Sequence, residues 1–200
     1  MTLQSTKVSR DGTILEAVRE AVILHGVRRT TATDIAERAG ISRMTFYRAM
    51  GSVDEAVLRT LTREFTLGTE RARAESNGST ARDRLVDFAV ASVRTFALSP
   101  LIQSIGERDP ELLLPYVTDR FGSSQLVVLA ALVALIAEGE SDGTITGQPS
   151  MATSILLTMQ GFGLSSKIVA ARGELESCLD QLRAMLDAYL AATPAAPAGN

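Results

Sequence analysis

Apolar residues recur every three or four positions along most of the chain, which is the period of a helix with one buried face. Near the N-terminus this pattern predicts a helix over residues 12–25 that Gly26 can end. The apolar positions of that helix are Ile14, Leu15, Val18, Ala21 and Val22. No stretch shows the sustained alternation of apolar and polar residues that a half-buried strand would have. The pattern therefore predicts an all-α protein.

Capping residues and turn segments divide the rest of the sequence into further helices. Thr31, Ser42 and Ser52 are candidate N-caps, because their hydroxyls can accept from backbone amides of the first helical turn. Ser-Pro at 99–100 and Asp-Pro at 109–110 each place a capping residue before a proline suited to the first helical position. Other predicted helices cover residues 32–39, 43–49, 53–75, 122–139, 150–171 and 174–191, and one more follows the break at 76–80. We expect about nine helices in all.

The net charge of −3 conceals an asymmetry along the chain. Residues 1–50 hold eight Lys and Arg against five Asp and Glu, whereas residues 51–200 hold 12 against 18. A polyanion such as a nucleic acid would therefore meet the N-terminal end, unless the asymmetry is ordinary scatter of surface charge.

Few residues in this sequence could act as catalytic groups or metal ligands. Cys178 is the one cysteine and His25 the one histidine, so neither a disulfide within the chain nor a cysteine-histidine metal site can form. We therefore expect no metal and no cofactor. An all-helical enzyme is one alternative function, although the sequence offers no paired carboxylates on a shared helix face.

The longest apolar run, residues 126–137, is 12 residues long, whereas a bilayer-spanning helix needs about 20. The N-terminal segment lacks the apolar core of a secretory signal. We therefore expect no membrane partner and a cytoplasmic location, where a single free cysteine is ordinary.

The segment "TTATDIAERAGISRMTFYRAM", residues 30–50, contains two short helices joined around Gly40. Thr31 can cap the first and Ser42 the second, which is the spacing of a helix-turn-helix whose second helix enters the major groove of DNA. Ile35 and Phe46 are expected to point inward. On the outer face, Arg can bridge two guanine acceptors, Thr or Met can touch a thymine methyl, and hydroxyls suit phosphate oxygens.

Extended to residue 57, this segment resembles the N-terminal signature of the TetR/AcrR transcriptional regulators, over roughly residues 10–57. The resemblance implies a DNA-binding domain at residues 1–51 and an effector-binding and dimerisation domain at 52–192. The tail at 193–200 has nothing to bury and is expected to be disordered. The residues expected to contact DNA are Arg28, Arg29, Thr31, Thr33, Ser42, Arg43, Met44, Thr45, Tyr47 and Arg48. For the two loop arginines, Arg28 and Arg29, the alternative is simple solvation.

Four positions depart from the family pattern: Met44 where Gly is common, Ala49 where His or Tyr is common, Met50 for Phe and Val53 for Lys. Fewer phosphate contacts would weaken DNA binding and its salt dependence. One alternative function is therefore a helical ligand- or protein-binding module whose DNA binding is weakened or lost.

The resemblance also implies an unknown small-molecule effector and a homodimer through the last two helices. Candidate pocket residues are Phe65, Phe88, Phe96, Ile102, Gln103, Tyr116, Met159 and Phe162, all of which would serve equally well in a core. Candidate dimer residues are Gly163, Ser166, Leu175, Leu179, Leu182 and Leu186, for which the alternative is a buried pair of helices within one chain. The expected function is a repressor that an effector releases from a palindromic, double-stranded operator.

Overall fold

A computed structural model describes the backbone of residues 2–191 and the side chains of residues 10–191. Ten α-helices and one 3₁₀ helix make up this described part, which contains no strand, so the predicted all-α class is confirmed. The helices are α1 Thr2–His25, α2 Ala32–Arg38, α3 Arg43–Met50, α4 Val53–Glu75, α5 Ala81–Leu98, α6 Pro100–Arg108, α7 Pro115–Thr118, α8 Ser123–Asp142, α9 Met151–Ala171 and α10 Leu175–Ala191, with the 3₁₀ helix at Pro110–Leu112. The first helix begins at Thr2 rather than at residue 12. The tail predicted at 193–200 lies outside the described residues.

The described chain divides into two compact units. The first contains residues 2–64 and 99–124, and the second contains residues 65–98 and 125–191. The first unit therefore holds α6 and α7 in addition to the three N-terminal helices. The domain boundary predicted after residue 51 falls inside this unit, because the first half of α4 packs with α1.

The core of the first unit forms around the predicted apolar face of α1. Ile14 and Val18 are fully buried there, together with Phe46 of α3. Three ion pairs also join α1 to α4: Asp11 to Arg59 at 3.1 Å, Glu16 to Arg63 at 3.3 Å and Arg19 to Glu64 at 3.2 Å. The α1 helix thus forms the scaffold against which the shorter helices pack.

The second unit has its own core, built from α5, α8, α9 and α10. Phe88, Leu132, Leu179 and Leu182 are at most 1% exposed in this core. The side chains of Arg94 and Glu176 join α5 to α10 through two hydrogen bonds, of 3.3 and 2.6 Å. The unit is therefore a helical bundle with a continuous apolar interior.

Helices α8 and α9 are long and apolar enough, by length and composition, to cross a membrane. The prediction from the longest apolar run underestimated them, because the whole of α8 spans 20 residues. Each helix supplies one stripe to the core of the second unit, but only 28% of the residues in each apolar window are buried. Their remaining apolar faces are left uncovered by the described chain.

The start of α5 is held by a carboxylate at the end of α8, 61 residues further along the chain. Asp142 accepts hydrogen bonds from the hydroxyl and amide of Thr144 and, at 2.9 Å, from the amide of Ala81. These bonds lower the pKa of Asp142 below its usual value, and the bond from the Thr144 hydroxyl has the largest effect. A carboxyl whose pKa is lowered by folding stabilises the folded state above its unfolded pKa, and this contribution is lost as the pH falls through the folded pKa.

We therefore expect Asp142→Asn to lower the thermal midpoint at pH 7, where the wild-type carboxylate is charged. The difference from wild type should begin to shrink as the pH falls below about 4, the ordinary pKa of an unfolded aspartate, and should disappear as the pH falls through the lowered pKa of the folded carboxyl. Scanning calorimetry between pH 7 and pH 3 measures this difference in thermal midpoint. The control is Asp180→Asn on α10, an exposed carboxylate. A difference that stays constant with pH would contradict the expectation.

Candidate nucleic-acid interface

Both predicted caps of the helix-turn-helix are present. The Thr31 hydroxyl accepts from the amide of Asp34 at 3.2 Å, and the Ser42 hydroxyl accepts from the amide of Thr45 at 3.1 Å. Each hydroxyl therefore satisfies one of the amides that a helix leaves unpaired at its start. The two helices, α2 and α3, begin at Ala32 and Arg43.

The turn between α2 and α3 is fixed by Gly40, which has a φ of +64°. The amide of Ile41 donates to the carbonyl of Ala36 at 2.9 Å, and the amide of Gly40 donates to that of Glu37 at 3.2 Å. This pair of bonds is the Schellman motif, which requires a left-handed residue that glycine adopts without strain. The direction in which α3 leaves α2 is therefore set by backbone geometry.

The inner face of α3 anchors the helix in the core of the first unit. Phe46 is fully buried and Met50 is 3% exposed, while Ile35 of α2 is also fully buried. At the other end of α3, the Arg59 guanidinium donates to the carbonyl of Ala49 at 3.0 Å and pairs with Asp11. The C-terminal end of α3 is thus held by a side chain of α4, while its buried residues anchor the helix in the core.

The outer face of α3 carries the side chains that the sequence assigned to DNA. Arg43 and Arg48 are exposed, and neither has an ion-pair partner among the described residues. Tyr47 is 41% exposed and Met44 is 77% exposed. This short face therefore presents two unpaired guanidinium groups, one phenol and one thioether side by side.

The hydroxyl-bearing residues divide into two groups. Thr31, Thr33 and Ser42 are exposed at the helix starts. Thr45 is half-buried, and its hydroxyl lies 2.9 Å from the hydroxyl of Ser42. The Thr45 side chain is therefore engaged within the cap of α3, and its contact with DNA remains a prediction.

The two loop arginines have different surroundings. Arg29 is exposed and has no ion-pair partner within the described chain, whereas Arg28 pairs with Asp109 and Glu111. Asp109 is buried, and its carboxylate accepts from the amides of Val27, at 2.7 Å, and Arg28, at 3.3 Å. The turn that leads into α2 is therefore held by a residue far away in the sequence.

Helix α6 also holds the end of α1. The Ser104 hydroxyl donates to the carbonyl of Val22 at 2.8 Å, and the Arg108 guanidinium donates to that of Ile23 at 2.9 Å. These bonds satisfy carbonyls that the end of a helix leaves unpaired.

This support differs from the prediction for Asp109. The Asp-Pro pair predicts that Asp109 caps the following helix, but its side chain makes no such bond and instead accepts from the amides of residues 27 and 28. The Asp-Pro pair indicates that Asp109 caps a backbone amide, but no residue near it in the sequence indicates that the amides belong to residues 27 and 28. The Ser99 prediction was correct, because its hydroxyl accepts from the amide of Ile102.

The predicted pocket residues do not all belong to one unit. Those in the second unit are Phe65, Phe88, Phe96, Met159 and Phe162; those in the first are Ile102, Gln103 and Tyr116. Within the second unit, the rings of Phe65 and Phe96 lie 5.5 Å apart, and Phe65 and Phe162 pack on the buried cluster that contains Phe88 and Met159. The structure therefore brings five of the eight residues into one apolar group.

The predicted dimer residues are mostly buried within the single chain, so their assignment to a surface is wrong. Leu179, Leu182 and Leu186 are at most 4% exposed, and Ser166 is 7% exposed. Leu175 is half-buried against the same core. A side chain that already fills its own core cannot also face a partner.

Gly163 is likewise used inside the chain. A Cβ added there would lie 3.0 Å from the Phe96 ring, so the glycine makes room for an aromatic side chain of the same unit. The apolar side chains that remain exposed on α9 and α10 are others: Leu157, Leu164, Ile168, Met185 and Tyr189. Among the described residues, no group of three or more His, Cys, Asp or Glu could hold a metal ion.

Comparison with known proteins agrees with this geometry. Residues 14–54 match the family model described as bacterial regulatory proteins of the tetR family. An HTH-type transcriptional regulator of Mycobacterium bovis is 28% identical over 192 residues, which cover 95% of this chain and 99% of that protein. The matched segment of the family model contains the whole helix-turn-helix.

Solved structures share the fold. A TetR-family transcriptional regulator from Pectobacterium atrosepticum has a TM-score of 0.67 at 20% identity, covering 95% of this chain and 96% of that one. The regulator FadR from Bacillus subtilis, solved in complex with stearoyl-CoA, has a TM-score of 0.61 at 13% identity, covering 87% and 96%. The capped helix-turn-helix therefore lies in a segment that matches the tetR family model, and the chain as a whole is similar to helix-turn-helix transcriptional regulators in sequence and to a TetR-family regulator in fold.

Proposed function

We propose that the protein is a homodimeric, cytoplasmic repressor that binds a palindromic operator and is released from it by a small-molecule effector. The proposed recognition of operator DNA rests on the outer face of α3. Its two arginines have no ion-pair partner in the described chain, while its inner face is locked in the core. Unpaired guanidinium groups on a rigid helix suit the guanine edges of the major groove.

Phosphate contacts would then come from the helix starts. The exposed hydroxyls of Thr31, Thr33 and Ser42 and the exposed guanidinium of Arg29 are suited to phosphate oxygens, which position a protein on DNA without reading sequence. Arg28 would join them only by leaving the carboxylates of Asp109 and Glu111.

The test is the selection of genomic DNA fragments by purified protein at a stated salt concentration, repeated with Arg43→Ala and Tyr47→Ala. We expect wild type to recover an inverted repeat, and Arg43→Ala to lose about ten-fold or more in affinity for it, the size of one bidentate base contact. Arg71→Ala, an exposed arginine on α4, is the matched control and should select the same repeat. A folded wild-type protein that selects no sequence would contradict the proposal and favour the module with lost DNA binding.

Dimerisation is supported by the uncovered apolar residues of α9 and α10. Leu157, Leu164 and Ile168 lie on one face of α9 and are 53%, 42% and 68% exposed. Met185 and Tyr189 lie on one face of α10 and are 54% and 42% exposed. Exposed apolar side chains grouped on helix faces in this way favour an interface, and a second copy reading a second half-site fits a palindromic operator.

We expect Ile168→Glu to raise the dimer dissociation constant by about ten-fold or more, because an unpaired carboxylate in an apolar interface costs several kcal/mol. Analytical ultracentrifugation measures it. Leu24→Glu on α1 makes the same chemical change at a side chain of similar exposure, 57%, and should leave the constant unchanged. Equal dissociation constants for wild type and Ile168→Glu would show that this face of α9 is not part of the dimer interface.

The effector site is proposed in the apolar group of the second unit, among Phe65, Phe96 and Phe162. The hydroxyl oxygen of Ser92, one helical turn before Phe96 on α5, is buried without a hydrogen-bond partner, which is costly unless a ligand or water supplies one. A side-chain amide pair, Gln125 donating to Gln160 at 2.9 Å, is the other polar feature that we assign to the site.

This composition favours an apolar effector without a charge in its buried part. The stearoyl-CoA complex of FadR supports ligand binding by this fold. An effector that prefers one conformation of the second unit would shift the population away from the DNA-binding state. Release of the selected operator should therefore be tested with paired compounds that share an alkyl chain but end in an alcohol or a carboxylate. If neither compound of any pair releases the operator, the proposed effector control is wrong.

A further inference from the structure

Met44 occupies an unusual position for a large apolar side chain. It is the second residue of α3, directly after Ser42 and Arg43, and at 77% exposure it is the most exposed large apolar side chain among the described residues. A singly exposed methionine is common on protein surfaces, so exposure alone carries no function. The position matters here because the N-terminal residues of a recognition helix approach the base edges.

The side chains of Met44 and its neighbour Thr45 have different surroundings. From the sequence, either residue could touch a thymine methyl. Thr45 is half-buried, with its hydroxyl 2.9 Å from that of Ser42, so its side chain is held within the cap. Met44 has no such engagement and extends from the same turn as Arg43.

We propose that Met44 is a specificity-determining residue that reads the C5-methyl group of a thymine in each operator half-site. The proposal rests on DNA binding by α3. In the major groove the thymine methyl is the apolar group that distinguishes a base pair, and a flexible thioether side chain can adapt to its position. Arg43 on the same turn would read the guanine acceptors of a nearby base pair, so the two side chains together distinguish both kinds of pair.

The experiment uses the operator selected by the wild-type protein. Each thymine of one half-site is replaced in turn by deoxyuridine, which removes only the methyl group, and affinity is measured by fluorescence anisotropy at fixed salt. We expect one or two thymines at which the replacement weakens wild-type binding about four-fold, the size of one buried methyl. Met44→Leu should retain this dependence, and Met44→Ala should abolish it at those same positions.

Thr45→Ser is the matched control, because it removes a methyl group from the neighbouring side chain and keeps the hydroxyl of the cap. It should retain the methyl dependence. Loss of the dependence in Thr45→Ser, its persistence in Met44→Ala, or its absence in wild type would each overturn the assignment to Met44. Those results all require a bound operator, so they differ from failure of the proposed function, in which wild type selects no operator.

Discussion

Replacing Phe46 with alanine is expected to destabilise the first unit by about 3–5 kcal/mol, the usual cost of removing an aromatic side chain from a core. Phe46 is fully buried, and it joins α3 to a core that includes the fully buried Ile14 and Ile35. Because α3 is only eight residues long, it cannot keep its structure without this packing. Hydrogen exchange followed by mass spectrometry should show faster exchange throughout α2 and α3.

Operator binding should be lost together with this protection, because the outer face of α3 is positioned by its inner face. Tyr47→Ala is the matched control, since Tyr47 is the next residue and is 41% exposed. It should weaken operator binding while leaving exchange in α2 close to that of wild type. If Phe46→Ala binds the operator normally and keeps its protection, the inner face of α3 does not position the helix as described.

Replacing Asp109 with alanine is expected to cost about 2–3 kcal/mol, the range for losing buried hydrogen bonds to a charged group. The change leaves the amides of Val27 and Arg28 without their acceptor. Asp109→Asn, which keeps the shape and one acceptor oxygen, should fall between wild type and alanine. Urea denaturation followed by circular dichroism measures the differences.

The Asp109 variants should also bind the operator more weakly, because the turn that Asp109 holds leads directly to Thr31, the cap of α2. Glu111→Ala is the control for charge, since it removes the exposed partner of Arg28 and leaves both backbone amides satisfied. Its effect on stability should stay below about 1 kcal/mol, as for other exposed ion pairs. Equal losses in Asp109→Ala and Glu111→Ala would show that charge near Arg28, rather than the backbone bonds, stabilises this turn.

The helix-turn-helix was predictable because its determinants are local. A cap such as Ser42 bonds an amide three residues away, and the left-handed turn at Gly40 is closed by bonds that span five residues or fewer. The period of the apolar residues then identified Phe46 as an inward side chain. A short segment of sequence contains all of these interactions, so the sequence specifies them directly.

The last helix shows where sequence patterns become ambiguous. Helix α10 carries two apolar stripes, one of leucines that includes Leu179 and Leu182 and another that includes Met185 and Tyr189. The periodicity of a helix with two apolar stripes does not indicate which one faces its own core. In the structure the leucines are buried and the other stripe is exposed, which reverses the predicted interface.

The sequence by itself determined the all-α class, the caps and turn of the helix-turn-helix, and the outward side of α3, because each depends on residues within one or two helical turns. Only the tertiary structure decided that Asp109, directly after α6, supports the turn before α2, and that α9 and α10 bury the residues first assigned to a partner. Those contacts join residues more than 80 positions apart, as between Val27 and Asp109, or depend on which of two apolar faces packs inward. Both are properties of the assembled core, which no short segment encodes.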